Sequence, residues 1–250
     1  MAAKQRLDKY LAHTGYAMRA KMRIFFKENV ITLNDEEISD PARKIDPEYD
    51  TLAINGEVLP YQKEYEYYIL NKPKNVISTT EDELGRETVV DFVETSKQIF
   101  PVGRLDKDTS GLVLLTNDGE LTHKLIHPKY HVPKTYLLTI QGEVLDKQLK
   151  FFEKGVILKE GKTLPAKTRI IKETAEKTVV EATIFEGKFQ QIRRMCYALH
   201  LELVDLKRIK FGPIELGNLE EGKSRELTKK EVEDLKNAAV VKKSLSPKPE

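Results

Sequence analysis

The order of apolar and polar positions predicts a small domain at the front of the chain. Residues 5–28 hold two short groups of apolar side chains at helical spacing. The runs 30–33 and 51–54 are β-branched and apolar, and turn-forming Asn, Asp and Gly residues follow each of them. This order predicts two helices followed by a few strands.

A second, longer domain is predicted from Tyr65 onward, where strand-like segments dominate. These β-branched and aromatic segments lie at residues 65–70, 134–140, 178–184 and 201–209. Residues 188–199 instead place apolar side chains at helical spacing, and Thr228 with Glu231 forms a capping box ahead of a further helix. The predicted fold class is α+β, with a mixed or antiparallel sheet.

Composition marks the limits of the two domains. We expect the front domain at residues 1–58, a linker containing Pro60 at residues 59–64, and the second domain at residues 65–237. Residues 238–250 have few core-forming side chains and two prolines, so a disordered tail is expected there.

One acidic residue stands out where two apolar runs meet. Asp106 lies in PVGRLDKDTSGLVLLTNDG, residues 101–119, shortly before the apolar run Leu112–Leu115. Gly103 and Gly111 allow tight backbone turns on either side of it. The pattern predicts a rigid backbone that holds a reactive carboxylate in place.

Charge is unevenly distributed along a chain of 250 residues with a formal net charge of +2. Seven cations stand against two acids in residues 1–28, whereas residues 34–57 are acidic. A concentrated basic face is typical of phosphate binding, and the alternative interpretation is an ordinary solvated helix face.

The single cysteine, Cys196, excludes an intrachain disulfide and any multi-cysteine zinc cluster. It lies on an apolar helical face, which favours a buried thiol over a nucleophile. No apolar run approaches the length of a membrane span, and the first residues lack the apolar core of a signal peptide. We therefore expect a cytoplasmic protein that does not enter a membrane.

The stretch GRLDKDTSGL, residues 103–112, resembles the hallmark motif of the RsuA-type pseudouridine synthase family. The resemblance implies that Asp106 is the catalytic aspartate. It extends to GKFQQIRRM, where Arg193 is implied to pair with that aspartate and favour its charged form. In Lys134-Thr135-Tyr136 it implies that the Tyr136 ring lies against the target base.

Three further motifs carry the same resemblance. Arg104 is implied to help hold a nucleotide flipped from its stack. Leu206 and Arg208, in LVDLKRIKFGPI, are implied to line or support the pocket. The stretch NKPKNVIST, residues 71–79, has Asn75 where the family usually has glycine, and Asn tolerates a positive φ better than most residues.

The front of the chain resembles the alpha-L RNA-binding domain of the ribosomal-protein S4 type. RLDKYLA and the strand that follows a basic helix carry this resemblance. It implies that four cations hold RNA backbone: Arg19, Lys21, Arg23 and Lys27.

The implied reaction detaches uracil from C1′ of its ribose, turns the base and rejoins it through C5. A carboxylate acts in it either as a nucleophile or as a base toward the sugar, and the sequence leaves both routes open. Neither route needs a metal, a redox carrier or a nucleotide cofactor. Two alternatives are a metal site formed by Asp106 with Asp108, and Asp106 as one carboxylate of a glycosidase pair. The first has no histidine nearby in the sequence, and nothing in the sequence indicates the position of the second acid that a glycosidase needs.

The expected partner is ribosomal RNA, bound by a monomer. HPKYHVPKTYLL resembles the small-subunit type of the family, which implies uridine 516 of 16S ribosomal RNA, or an assembling small subunit, as the target. A 23S ribosomal RNA synthase of the same family is the alternative. A non-catalytic RNA-binding or ribosome-assembly protein is the rival from another class.

Overall fold

A computed structural model describes residues 4–14, 16–17, 19–47, 49–59 and 65–240, apart from the side chains of His13 and Arg19. The chain divides into two compact units. The front unit comprises the residues up to Glu66 together with Thr95–Ile99 and Asn117–Gly119, and the larger unit comprises the rest.

The front unit contains the two predicted helices and a small antiparallel sheet. Its elements are β1 (Gln5–Arg6), α1 (Leu7–His13), a 3₁₀ turn (Arg19–Lys21), α2 (Met22–Glu28), β2 (Ile31–Leu33), β3 (Glu36–Glu37), β4 (Lys44–Ile45), β5 (Leu52–Ile54) and β6 (Glu57–Val58). The sheet order is β3-β2-β5-β6, and β1 pairs with β4. Apolar residues of both helices pack with those of β2, β4 and β5 into one core.

The packing of the front unit continues into the first residue of the predicted linker. Glu57 and Val58 pair with β5 as a strand, and Leu59 is 8% exposed within the front core. Residues 60–64 lie outside the described residues.

The larger unit is built on one mixed sheet. Its elements are β7 (Tyr67–Lys72), a 3₁₀ turn (Val89–Phe92), β8 (Phe100–Pro101), β9 (Ser110–Thr116), α3 (Gly119–Ile126), a 3₁₀ turn (Pro128–Tyr130), β10 (Lys134–Gln141), α4 (Asp146–Lys154), β11 (Ile157–Leu158), β12 (Gly161–Lys162), β13 (Lys167–Glu173), β14 (Lys177–Ile184), α5 (Gln191–Ala198), β15 (Leu203–Phe211), β16 (Ile214–Glu215), β17 (Ser224–Glu226) and α6 (Lys229–Ala238). The order is β13-β14-β10-β15-β9-β7-β17, with β16 on β15 and β8 on β9. The predicted α+β class with a mixed sheet is confirmed.

The sequence pattern explains where these strands lie. Every residue of β9 is buried, as expected for the apolar run Leu112–Leu115 at the centre of a sheet. β14 alternates between buried and half-buried positions because only one of its faces packs on the core. The predicted capping box is present, since the Glu231 N–H donates to Thr228 Oγ1 at 3.2 Å and the Thr228 N–H donates to Glu231 Oε2 at 2.8 Å.

The end of the larger unit lies slightly beyond the predicted boundary. Helix α6 continues to Ala238, and Ala239 is 3% exposed, so both residues pack where a disordered tail was expected to begin. Residues 241–250 lie outside the described residues. No helix in the described part of the chain is both long and apolar enough to span a bilayer.

The close approach of two neighbouring strands, β9 and β15, determines the backbone geometry near Asp106. β9 runs parallel to β15, with Gly111 opposite Arg208. A Cβ atom on Gly111 would lie 2.7 Å from the Arg208 backbone nitrogen and would also overlap its carbonyl oxygen. The φ of Gly111 is +103°, a region that other residues rarely adopt. Gly111 is therefore required both for its backbone conformation and for the approach of the two strands.

Candidate active site

Asp106 lies in a short turn between β8 and β9. The Thr109 N–H closes this turn by donating to the Asp106 carbonyl oxygen at 3.0 Å. Gly103, at the start of the loop, has a φ of +76°. The Asp106 side chain is 32% exposed. Its carboxylate is thus carried on a defined backbone and remains accessible to a substrate.

The segment after β7 holds the turn by hydrogen bonds on both sides of Asp106. Ser78 Oγ donates to the Leu105 carbonyl oxygen at 2.9 Å and accepts from the Leu105 N–H at 3.1 Å. The Asn75 N–H donates to the Lys107 carbonyl oxygen at 2.9 Å. Asn75 has a φ of +72°, which confirms that this position needs a residue tolerant of the left-handed region. The motif at residues 71–79 therefore positions the loop that carries Asp106.

Lys72 also helps to hold the turn that carries Asp106, although the sequence suggested no role for it. Its ammonium group donates to the carbonyl oxygens of Pro73 at 2.8 Å, Val76 at 2.9 Å and Lys107 at 3.4 Å. Burial lowers the pKa of Lys72 to about 8 because desolvation disfavours the charged form. The feature of the sequence that could have indicated this role is a lysine at the end of a buried strand, directly before a proline.

Arg193, at the start of α5, lies beside Asp106 as the resemblance implies. Its Nε atom is 4.0 Å from Asp106 Oδ2. Its Nη2 atom donates to the Asp108 carbonyl oxygen at 3.0 Å and to Thr109 Oγ1 at 3.2 Å. These two bonds fix the guanidinium against the turn, so a positive charge stays next to the carboxylate.

Asp106 opens into a cavity of about 390 Å³ within the larger unit. The cavity is also lined by the other residues that sequence analysis assigned to the catalytic domain: Arg104, Tyr136, Arg193, Leu206 and Arg208. A volume of this size lies in the range of small-ligand pockets. The structure thus brings together residues from four separate segments: the loop before β9, β10, α5 and β15.

Tyr136 lies on β10 and is 8% exposed. Its neighbours across the sheet are Ala182 on β14 and Arg208 on β15. A buried tyrosine in a protein core usually hydrogen-bonds its hydroxyl. Within the described residues the Tyr136 hydroxyl has no such partner, and the residue lines the cavity. The hydroxyl is therefore available to a ligand.

Arg208 is a buried cation in the wall of the cavity, and Leu206 lies beside it, buried, on the same strand. Arg208 Nε donates to the Leu112 carbonyl oxygen at 2.7 Å, and its Cζ atom lies 5.2 Å from the centroid of the Phe211 ring. Its Nη2 atom has no hydrogen-bond partner among the described residues.

Lys134, at the start of β10, is a second cation of the cavity wall, and the sequence assigned it no role of its own. Its Nζ atom donates to the Val132 carbonyl oxygen at 2.9 Å and lies 5.5 Å from the centroid of the Phe211 ring. Burial, and then the charge of Arg208, lower the pKa of Lys134 to about 8.

Arg104 is exposed, unlike the cations of the cavity wall. It lines the opening of the cavity two residues before Asp106. Its guanidinium has no hydrogen-bond partner in the part of the chain that the structure describes. This position leaves Arg104 free to contact a nucleotide that enters.

The basic residues assigned to RNA binding lie in the front unit. Lys21, Arg23 and Lys27 are exposed around the start and along the length of α2. Arg19 lies in the 3₁₀ turn ahead of that helix, and its side chain is outside the described residues. The helix therefore presents a basic surface to solvent.

Cys196 is buried on α5, as its apolar helical spacing predicted. Burial raises the pKa of its thiol to about 12, which keeps the thiol protonated at neutral pH. It packs in the core.

Comparison with known proteins points to one family. Residues 66–198 match a family profile described as RNA pseudouridylate synthase. The chain is 40% identical over 238 residues to the ribosomal large subunit pseudouridine synthase B of Bacillus subtilis (strain 168), covering 94% of this chain and 97% of the relative. It is 36% identical over 232 residues to the ribosomal small subunit pseudouridine synthase A of Escherichia coli (strain K12), covering 91% of this chain and 98% of the relative.

A solved structure shows a related fold. A crystal structure of a pseudouridylate synthase aligns with a TM-score of 0.67 and 33% sequence identity, covering 92% of this chain and 99% of that chain. The similarity therefore includes the front unit as well as the larger one.

Proposed function

Because the chain belongs to the RNA pseudouridylate synthase family, a class of RNA isomerases, we propose that it converts uridine to pseudouridine in ribosomal RNA with Asp106 as the reacting carboxylate. The observation that carries this proposal is the pair formed by Asp106 and Arg193, 4.0 Å apart, at a cavity lined by Tyr136. A protein that only binds RNA has no need of an acid at this place. The ribosomal substrates named for the two relatives support the choice of RNA.

Asp106 begins the reaction at the ribose. As a nucleophile it attacks C1′ while the C1′–N1 bond breaks, and as a base it removes a proton from the sugar while the same bond breaks. In both routes the electron pair of that bond leaves with uracil. Arg193 places a positive charge next to the Asp106 carboxylate, and it is itself held by the Asp108 carbonyl oxygen and by Thr109.

The base then turns, and C5 replaces N1 at the ribose. A new C5–C1′ bond forms, and at the same time the bond from C1′ to Asp106 breaks in the nucleophilic route, or the sugar regains its proton in the other route. C5 then loses its proton and N1 gains one, so the product has the same atoms as the substrate. Tyr136 supports this stage through its ring, which stacks on the base, and through its free hydroxyl, which assists loss of the C5 proton. Arg104 contacts the nucleotide at the opening.

The basic surface of α2 is proposed to hold RNA backbone. Lys21, Arg23 and Lys27 are exposed on one short segment and match the cations implied by the alpha-L domain resemblance. Long, solvated side chains of this kind suit phosphate groups, which carry charge but no sequence information. The front domain predicted at residues 1–58 would thus act as an RNA anchor.

The target uridine has two candidates. The sequence around Tyr136 favours uridine 516 of 16S ribosomal RNA, and the small-subunit relative at 36% identity agrees with it. The large-subunit relative at 40% identity favours a uridine of 23S ribosomal RNA.

The test maps pseudouridine in both ribosomal RNAs from cells with and without the gene, and then incubates purified protein with transcripts of each. We expect one position to depend on the gene and to be formed in vitro. Unchanged maps and no product on either transcript would reject the proposed function.

A further inference from the structure

Two cations surround one aromatic ring in the wall of the cavity. Lys134 on β10 and Arg208 on β15 both line the cavity that contains Asp106. The Lys134 Nζ atom is 5.5 Å and the Arg208 Cζ atom 5.2 Å from the centroid of the Phe211 ring. Two positive charges are therefore concentrated at one part of the cavity.

Neither charge is neutralised by the protein. The ion pairs formed by the described residues include neither Lys134 nor Arg208. Each side chain has one backbone carbonyl as its acceptor, that of Val132 for Lys134 and that of Leu112 for Arg208. Arg208 is 2% exposed, and its Nη2 atom has no acceptor within the described residues. Burying a cation without a counter-charge is costly, so this arrangement needs an anionic or strongly accepting ligand.

The proposed reaction supplies such a ligand only after the first bond breaks. When C1′–N1 is cleaved, both electrons stay on uracil, and the negative charge spreads from N1 to the carbonyl oxygens. The neutral base of the substrate carries no such charge. Cations that are fixed in place before the reaction therefore stabilise the cleaved state more than the substrate, which is the condition for accelerating the step.

We propose that Lys134 and Arg208 form an anion subsite that accepts the carbonyl oxygens of the detached uracil and holds its negative charge while the base turns. This inference rests on the proposed isomerisation of uridine. The two cations transfer no proton in it, because the C1′–N1 electron pair goes to uracil and returns to carbon when C5 attacks C1′. The Arg208 guanidinium and the Lys134 ammonium supply the positive charge.

The other cations of the cavity, Arg193, Arg104 and Lys188, have different surroundings, and Lys188 pairs with Glu186 at 3.7 Å. Arg193 is engaged by Asp106, by the Asp108 carbonyl oxygen and by Thr109, so its charge is already used. Arg104 is exposed at the opening, where water weakens its field. Arg208 is buried and Lys134 half-buried in the cavity wall, and neither pairs with a carboxylate among the described residues, which makes them the pair suited to a transient anion.

The test compares two leaving groups in one RNA. The full-length protein is incubated with a ribosomal RNA fragment carrying either uridine or 5-fluorouridine at the target position. Fluorine withdraws electrons, so 5-fluorouracil is the more stable anion and depends less on the subsite. Consumption of the target nucleoside is measured under single-turnover conditions by digestion and mass spectrometry, which reads cleavage separately from loss of the C5 proton.

Lys134→Met removes the charge and keeps the length of the side chain. We expect this variant to consume uridine about 100-fold more slowly than the wild type. The slowing for 5-fluorouridine should be smaller by a factor of several or more. Lys134→Arg should recover most of the rate. Lys129→Met is the matched control, because Lys129 is exposed, five residues earlier, and does not line the cavity. It should react at the wild-type rate.

Lys134→Gln is prepared alongside, and the comparison is made with a variant that melts no lower than the wild type and binds the RNA equally well. Equal slowing of both substrates, or a wild-type rate in the variant, would overturn the anion subsite. An inactive wild type on every ribosomal RNA would reject the proposed function instead, so the two failures are distinguishable.

Discussion

The cations of the front unit and those of the cavity differ in what surrounds them. Arg23 and Lys27 are exposed on α2, and within the described residues neither forms an ion pair. Arg208 is buried and Lys134 is half-buried, and both lie beside the Phe211 ring. Solvated charges act on many phosphates and are screened by salt, whereas buried charges act strongly on one group at a fixed place. We propose that the same residue types serve RNA binding in one unit and chemistry in the other.

The largest expected effect comes from removing the carboxylate that lies beside Arg193. Asp106→Asn keeps the shape of the side chain but is neither a nucleophile nor a strong base, so turnover should fall by at least about 10³-fold. Affinity for RNA should stay within a few-fold. Asp108→Asn, in the same turn but exposed, should keep near-normal activity. Single-turnover pseudouridine formation checks this, and turnover by a verified Asp106→Asn protein would contradict the assignment.

Arg193 tests whether a cavity cation acts through one specific contact. Arg193→Ala removes the partner of Asp106 and should lower the single-turnover rate by about 10²-fold, with the fold retained. Its neighbour is the matched control, because Arg194 pairs with the exposed Glu160 at 2.9 Å. Arg194→Ala should therefore have little effect. Similar rates for the two variants would show that Arg193 is an ordinary surface cation.

Two substitutions at Tyr136 distinguish the contribution of ring stacking from that of proton transfer by the hydroxyl. Tyr136→Phe keeps the ring and should bind RNA normally but form product about 10- to 100-fold more slowly, because the hydroxyl is lost. Tyr136→Leu should in addition lose stacking, worth about 1 to 3 kcal/mol. Rates are compared with thermal melts of each variant. A fully active Tyr136→Phe protein would limit Tyr136 to stacking or packing.

Salt dependence tests the exposed cations. Arg23→Gln/Lys27→Gln in the full chain should weaken RNA binding and make the slope of log affinity against log salt shallower by about 1.4 to 1.8, since each phosphate contact contributes about 0.7 to 0.9. Single-turnover rates at saturating RNA should not change. Lys150→Gln/Lys154→Gln is the control, with the same charge loss and spacing on exposed positions of α4. Equal slopes for the two double variants would contradict RNA binding by α2.

The smallest effect concerns stability and pH. The pKa of Lys134 is about 8 in the folded protein, below its usual value of 10.5. Between these values the unfolded chain holds more protons, so this residue makes the free energy of unfolding rise with pH from about 8 upward. Lys134→Met lacks this contribution.

Urea unfolding of the wild type and of Lys134→Met at several pH values measures this effect. Lys72 is present in both proteins, so its contribution to the pH dependence cancels in the difference. We expect Lys134→Met to be the more stable protein near pH 7 and its advantage to shrink toward pH 10. A constant difference would show that Lys134 is not desolvated.

The sequence predicted much of the fold because local patterns are strong where burial is strong. The run Leu112–Leu115, the alternation in β14 and the capping box at Thr228 all lie where expected. Boundaries were less accurate. Leu59 and Ala239 pack against residues distant in the chain, and such packing leaves no local signal.

The candidate site likewise contains residues that the sequence predicted and residues that it did not. Short motifs placed Asp106, Arg193, Tyr136 and Arg208 in one site, and the structure brings them to one cavity, while their roles stay predictions. Lys72 was missed, because its importance comes from three carbonyl oxygens that only the folded loop places around it. The functional use of Lys134 was missed for a similar reason.

The sequence by itself determined which residue types are available and which segments are buried, since both follow from side-chain chemistry and periodicity. Only the tertiary structure decided which charges lack a partner. Arg208 and Lys134 are 74 positions apart in a linear chain, yet they meet at Phe211 because β10 pairs with β15. Whether a charge is neutralised depends on distance and solvent, and a sequence contains neither.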